Sequence, residues 1–288
     1  MSKLLYNALQ VPSLKEVVND LREVCEKLEI DFFGIGALAR NIWYLDNEKE
    51  ARGTGDVDFA VYVKDEKTYQ NLKQELIKNY NYIESNSNSY CLISPRKTQL
   101  DLLPFGEIEN DDRVQIEGQG LTILNLYGFL ETYQLGISEF EIENEKLKVC
   151  LPPAIILLKL IAFDDRPEKR IKDAEDINSI LLHYPWMEES LIWDEYYYLY
   201  SKEGEELDKE HDQVATEVLG YEIAKISIKN DKLTKRIISI LDKAISKQSR
   251  LAINMIENSM KETEQEKITL LTYLKEGVEA GIKKYKVK

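Results

Sequence analysis

The sequence predicts an α/β (α+β) domain with a mixed sheet, followed by an all-α C-terminal domain, divided at 1–151 and 152–288. Three observations carry this. A chain of 288 residues suggests two domains at ~150 residues each. Up to Cys150, short runs with strand-like alternation are interleaved with segments of helical period. Beyond Pro152 the signals are helical almost throughout.

Residues 12–28 read as an amphipathic helix capped by Ser13, with Val17, Val18, Leu21, Val24, Cys25 and Leu28 on one stripe. Phe32-Phe33-Gly34-Ile35-Gly36-Ala37-Leu38-Ala39 then reads as a short strand entering a helix through a glycine turn. Such a turn presents backbone N–H groups to a phosphate. A helix and loop extend over Trp43 to Glu50, and the segment Arg52-Gly-Thr-Gly-Asp-Val-Asp-Phe59 leads into a strand. Side chains alternate across a strand, so Asp56 and Asp58 share one face while Val57 and Phe59 take the other. Two carboxylates one residue apart form a pincer for a hard cation such as Mg²⁺.

A helix is expected near 67–79, with strands near 81–85, 90–94 and 98–103. The last carries Asp101 between leucines, and an Asp there is costly to bury unless it is paired or binds metal. The plain alternative is an edge-strand Asp facing water. With Asp56 and Asp58, Asp101 would complete the donor set of a two-metal phosphoryl-transfer site. Further strands are expected at 113–124 and 137–149, the latter a hairpin turning at Glu143-Asn144-Glu145.

After Pro152 and Pro153, residues 152–164 are apolar nearly all round, as in a buried helix whose prolines sit where a missing N–H costs little. Lys159 inside it needs a partner, either phosphate or carboxylate, unless it snorkels to the surface. Asp173 and Asp176, three apart on the next helix, share a face and either could anchor Lys159 or Arg166. The alternative is an ordinary inter-helix ion pair. Glu195-Tyr-Tyr-Tyr-Leu-Tyr200 reads as a helix packing its rings rather than a base-stacking platform, because stacking sites come with a basic groove. Glu203 to Glu210 reads as an acidic linker or helix start, and Val214–Ile228 and Leu233–Ile253 have helical periodicity.

The order of glycine turn, helix, Arg-x-Thr-x-Asp-x-Asp-hydrophobic and a later strand Asp resembles the polymerase-β-like nucleotidyltransferase superfamily. The block Pro153 to Arg166 followed by Lys169 to Ile177 is similar to that of AbiEii/AbiGii-type toxin nucleotidyltransferases. The shared motifs cover about residues 30–180. Ala37 departs from the Ser or Thr common in that turn, and the stretch before Asp56 is longer than in minimal members. The resemblance implies transfer of a nucleoside monophosphate from an Mg²⁺-bound NTP (two ions, with Mn²⁺ as a substitute) to an acceptor hydroxyl or phosphate, at a cleft between the domains. Asp56, Asp58 and Asp101 would bind metal, and Asp101 could assist deprotonation of the acceptor. Gly36, Ala37 and Arg40 would hold phosphates, while Arg52 and Thr54 would shape the turn or touch phosphate. Lys159 would neutralise triphosphate charge, with Asp173 orienting it and Asp176 nearby. An RNA acceptor such as a tRNA end, and an antitoxin partner, would follow from the AbiEii likeness.

Composition bounds the partners. The net charge of −14 counts against a non-specific grip on nucleic acid, whose binding faces are normally basic. Residues 225–288 nevertheless hold 15 Lys/Arg against 8 Asp/Glu, a helical window that either contacts RNA or triphosphate or is simply solvated. Cys25, Cys91 and Cys150 lack disulfide or Cys-x-x-Cys spacing, and two histidines make a zinc site improbable. No apolar run suggests a membrane span or signal peptide, so a cytoplasmic protein is expected. Three classes stay open: a toxin acting on RNA, an enzyme that nucleotidylates a small molecule or protein, and a non-catalytic nucleotide-binding module.

Overall fold

A seven-stranded mixed sheet organises the N-terminal half. The structure, a computed structural model, describes residues 4–86, 88–110, 113–118, 120–201, 209–256 and 262–286. Two compact units divide it: Met1–Tyr133 with Ile137–Leu151, and Gln134–Gly136 with Pro152–Lys288.

The first unit begins with helix α1 (Leu14–Leu28), whose buried stripe includes Val17, Val18, Leu21, Val24 and Cys25. Ser13 occupies its N-cap position but makes no side-chain cap, because its backbone is left-handed (φ 53°); a capping serine needs extended φ/ψ to aim its oxygen at the helix. Strand β1 (Asp31–Gly34) enters α2 (Gly36–Asp46), and β2 (Asp56–Tyr62) enters α3 (Glu66–Tyr80), where Asp65 caps by accepting from the Thr68 N–H. Strands β3 (Ile83–Glu84), β4 (Cys91–Ile93) and β5 (Gln99–Phe105) follow, then the separate ribbon of β6 (Arg113–Gly118) and β7 (Gly120–Asn125). Helix α4 (Phe129–Leu135) precedes the hairpin β8 (Ile137–Ile142) and β9 (Glu145–Cys150). Its two-residue turn places Glu143 and Asn144 at φ 51° and 70°, as a type I′ turn requires.

The sheet order is β3-β4-β5-β2-β1-β9-β8, with β2 parallel to β5, β1 parallel to β9, and the other pairs antiparallel. β5 is therefore an inner strand, which removes the edge-strand reading of Asp101. One sheet face carries an aromatic cluster of Phe33, Tyr62 and Phe105, joined by Phe129 and Tyr133 of α4 at ring separations of 5.4–6.2 Å. Edge-on and offset ring pairs at such distances add to the area they bury.

The second unit is helical: α5 (Pro152–Asp165), α6 (Ile171–Met187), α7 (Glu189–Glu195), α8 (His211–Ser227), α9 (Asp231–Ala244), α10 (Arg250–Asn254) and α11 (Glu264–Lys286). Helix α5 is buried nearly all round, as its sequence implies. The tyrosine run is a 3₁₀ turn (Tyr197–Leu199), not a helix. The 233–253 stretch is two helices, because Gln248 turns left-handed and Ser249 caps α10 through the Ala252 N–H. Most of the acidic segment at 203–210 lies outside the described residues, but Glu210 forms a capping box with Gln213 at the start of α8. Among the described residues no helix is long and apolar enough to cross a membrane.

Candidate active site

Parallel pairing of β2 and β5 sets Asp58 directly beside Asp101, and Asp56 beside Gln99. Paired residues of neighbouring strands point to the same face about 4.8 Å apart at the backbone, so Asp56, Asp58 and Asp101 share one face. Burial follows the same alternation: Val57, Phe59, Leu100 and Leu102 are buried, Asp58 and Asp101 are half-buried, and Asp56 is exposed at the strand start. The Thr54 hydroxyl donates to the Asp56 carboxylate, so this threonine holds the strand entrance.

The glycine turn arrives at the same place. The antiparallel β1–β2 register ends with the Ile35 N–H donating to the Asp58 carbonyl at 3.0 Å, and Gly36 opens α2 with φ +59°. A Cβ on Gly36 would stand 2.8 Å from the Asp58 Oδ2. This glycine therefore supplies both the left-handed turn and the room beside the carboxylate. The first N–H groups of α2, from Gly36, Ala37 and Leu38, have no acceptor within the helix, and the helix dipole adds positive potential there. Ala37 contributes its backbone to this terminus but no hydroxyl.

Arg40 is buried, and its guanidinium donates twice to the Asn41 Oδ1 (3.2 and 2.9 Å) and lies over the Tyr44 ring. Asn41 in turn donates to the Arg52 carbonyl at 2.8 Å. This network ties α2 to the loop entering β2, whereas the Arg52 side chain itself is exposed. The helix beyond Arg40 is fastened by the Trp43 indole, which donates to the Cys150 carbonyl at 2.8 Å and packs edge-on against Phe140.

In the second unit, Lys159 is buried with its ammonium 2.7 Å from both Asp173 Oδ1 and Asp176 Oδ2. Arg170 approaches the other Asp173 oxygen at 3.7 Å. Burial on its own would lower the lysine pKa, but the two carboxylates outweigh it and hold it above the ordinary value. The partner a buried lysine needs is thus a pair of aspartates on one helix face.

Cys91 on β4 reads in the sequence only as an unpaired-looking cysteine, with nothing to place it beside the carboxylates. It is the cross-strand partner of Asp101, and its thiol is pushed up to about 12 by burial, then by the charge and hydrogen bonding of Asp101. It is a protonated neighbour of the carboxylate row. The only sequence signal was its place in the Tyr90–Ile93 alternation.

The donor set suits a hard divalent cation: carboxylate oxygens on one partly open face, beside a glycine that leaves the approach clear. As they stand, no three carboxylate, thiol or imidazole side chains among the described residues form a ready-made metal cage. The fit is therefore one of donor chemistry and strand register.

No protein-family model and no curated protein sequence matches the chain. Among solved structures, an antigenic nucleotidyltransferase-like protein from Paracoccidioides brasiliensis is similar at 19% identity, covering 81% of this chain and 94% of that one with a TM-score of 0.38. The antibiotic-resistance factor ANT(2'')-Ia is 13% identical over 63% of this chain and 96% of that one, with a TM-score of 0.36. The CD-NTase CdnG of Bradyrhizobium diazoefficiens, solved in complex with GTP, is 13% identical over 96% of this chain and 88% of that one, with a TM-score of 0.29. These superpositions are too loose to transfer a residue or an activity.

Proposed function

We propose that the chain is a divalent-metal-dependent nucleotidyltransferase of the polymerase-β-like kind, moving a nucleoside monophosphate from an NTP to an acceptor hydroxyl or phosphate. The observation that carries this is the register pairing of Asp58 with Asp101, with Asp56 on the same face and Gly36 against Asp58. Asp56, Asp58 and Asp101 would hold Mg²⁺, or Mn²⁺ in its place. Bound there, the cations supply charge neutralisation of the triphosphate and of the departing pyrophosphate.

The remaining work falls to the chain. The N–H groups opening α2 orient phosphate oxygens, and Gly36 leaves them room beside Asp58. The acceptor oxygen bonds to the α-phosphorus as the bond to the β-phosphate oxygen breaks. The acceptor proton passes to Asp101, a role that needs hydrogen-bond reach. Phosphoryl transfer depends mainly on such positioning and electrostatics, so Asp58→Asn should fold normally and lose turnover. Full activity in that variant would end the metal assignment. Nucleotide roles for Lys159, Asp173 and Asp176 belong to the proposal as well. Lys159→Arg separates them from simple ion pairing: a purely structural lysine would leave turnover untouched when stability is kept.

For the acceptor, an AbiEii-like cytoplasmic toxin acting on RNA, held by an antitoxin, is the first reading, and labelling of RNA from a radiolabelled NTP tests it. The net charge of −14 favours a second, a cationic small-molecule acceptor drawn to the protein's field. Label appearing in such a molecule and not in RNA would decide for it.

A further inference from the structure

The tyrosine-rich turn is not consumed by the proposed chemistry. From Glu188 to Tyr200 the chain holds four acids, five aromatic rings of Trp and Tyr, and no Lys or Arg. Three of those acids, Glu189, Asp194 and Glu195, are exposed. Interleaved with them, Trp193 is 41% exposed, Tyr197 58% and Tyr198 52%. This is unusual for large rings with a core available to them.

The rings are also held rather than loose. Trp193 stacks on Tyr200 at 4.6 Å and 3°, and on His211 at 5.5 Å and 11°, while Tyr197 lies 5.9 Å from both Trp193 and Tyr200. The underside of the stack is therefore fixed while the Trp193 and Tyr197 side chains stay open to solvent. Base stacking is disfavoured, because the acids repel phosphates and a stacking groove is normally basic.

Cations are the complementary ligand: ring faces attract them, and the exposed carboxylates interleaved with the rings add a screened attraction. The same turn already shows this chemistry. The Lys284 ammonium stands 4.7 Å from the Tyr196 ring, 5.4 Å from Tyr221 and 5.7 Å from Tyr198. One flank of the turn thus grips a lysine of the chain itself, and the other flank offers like chemistry with no lysine or arginine in its own segment.

We propose that the strip from Glu189 to Tyr198 is a docking surface for a Lys/Arg-rich segment of a partner protein. The ring faces take the guanidinium or ammonium groups, and Glu189, Asp194 and Glu195 neutralise them. It uses none of the residues of the carboxylate row on the sheet.

The test is fluorescence anisotropy of a labelled Lys/Arg peptide with the full chain, at low and physiological salt. Tyr197→Ala combined with Trp193→Leu is expected to weaken binding about tenfold. The triple variant Glu189→Gln, Asp194→Asn, Glu195→Gln is expected to weaken it and to flatten its salt dependence. All five groups sit on the surface, and a melting curve confirms that each variant folds. Equal affinity for wild type and both variants would overturn the proposal, since the peptide would then be held by net charge elsewhere. RNA binding lost in Tyr197→Ala would overturn it in favour of nucleic acid. Self-association lost in that variant would reassign the face to a second copy of the chain.

Discussion

At the residue scale, two positions carry more than their identity suggests. Gly36 combines φ +59° with a Cβ position 2.8 Å from the Asp58 carboxylate. Gly36→Ala is expected to cost ~1–2 kcal/mol in stability from the left-handed backbone. It should lower metal-dependent nucleotide binding far more than that strain alone would, because Asp58 must move aside. Urea melts and nucleotide titration of the same sample separate the two effects. Glu188 is the other. Burial, and then the charge of Glu222, push its carboxyl up to about 7 from the ordinary 4.5. Between those values the folded chain keeps a proton that the unfolded chain gives up, so stability falls as pH rises through that window. Glu188→Gln should lose this fall, which melting temperatures from pH 5 to 8 will show against wild type. That Asp56 and Asp58 share a strand face and that a glycine turn opens α2 was legible because both patterns are local in sequence. The burial of Arg40 against Asn41 and Tyr44 was not, because it is set by packing.

At the scale of elements, close helix packing and buried charge govern the second unit. Lys159 joins α5 to Asp173 and Asp176 of α6. Lys159→Met would leave two carboxylates buried together, a loss of about 3–5 kcal/mol in denaturant unfolding. A loss under about 1 kcal/mol would mean that water reaches the triad. Helices α8 and α11 meet through glycines: a Cβ on Gly277 would strike the Glu217 backbone carbonyl, and one on Gly220 the Leu274 carbonyl. Because backbone, not a flexible side chain, stands in the way, Gly277→Ala should cost about 3 kcal/mol, the upper end for overpacking, and lower the melting temperature. The helical character of this half was readable from periodicity, but its breaks were not. The 233–253 pattern is continuous in hydrophobicity, and only the Ser246–Ser249 turn residues mark the stop. Helix α4 was missed for the opposite reason: seven residues are too few to show a period, although Phe129 and Tyr133 complete the aromatic cluster on the sheet.

At the scale of the whole molecule, charge is the main constraint on partners. A net charge of −14 repels a bare triphosphate, so nucleotide should bind only with a divalent ion to bridge it to the carboxylates. The fold class was legible because strand and helix periods change over at Cys150–Pro152. Strand order was not, since the β2–β5 pairing that sets Asp58 beside Asp101 is made across an intervening helix and two strands. Calorimetric titration of the four NTPs, with and without Mg²⁺, into wild type and Asp56→Ala/Asp58→Ala decides whether these strands hold a metal-dependent nucleotide site. Binding that requires Mg²⁺ and disappears in the double variant is the expected result. Equal binding to both proteins, or none to wild type under any metal condition, would contradict a nucleotidyltransferase site on these strands.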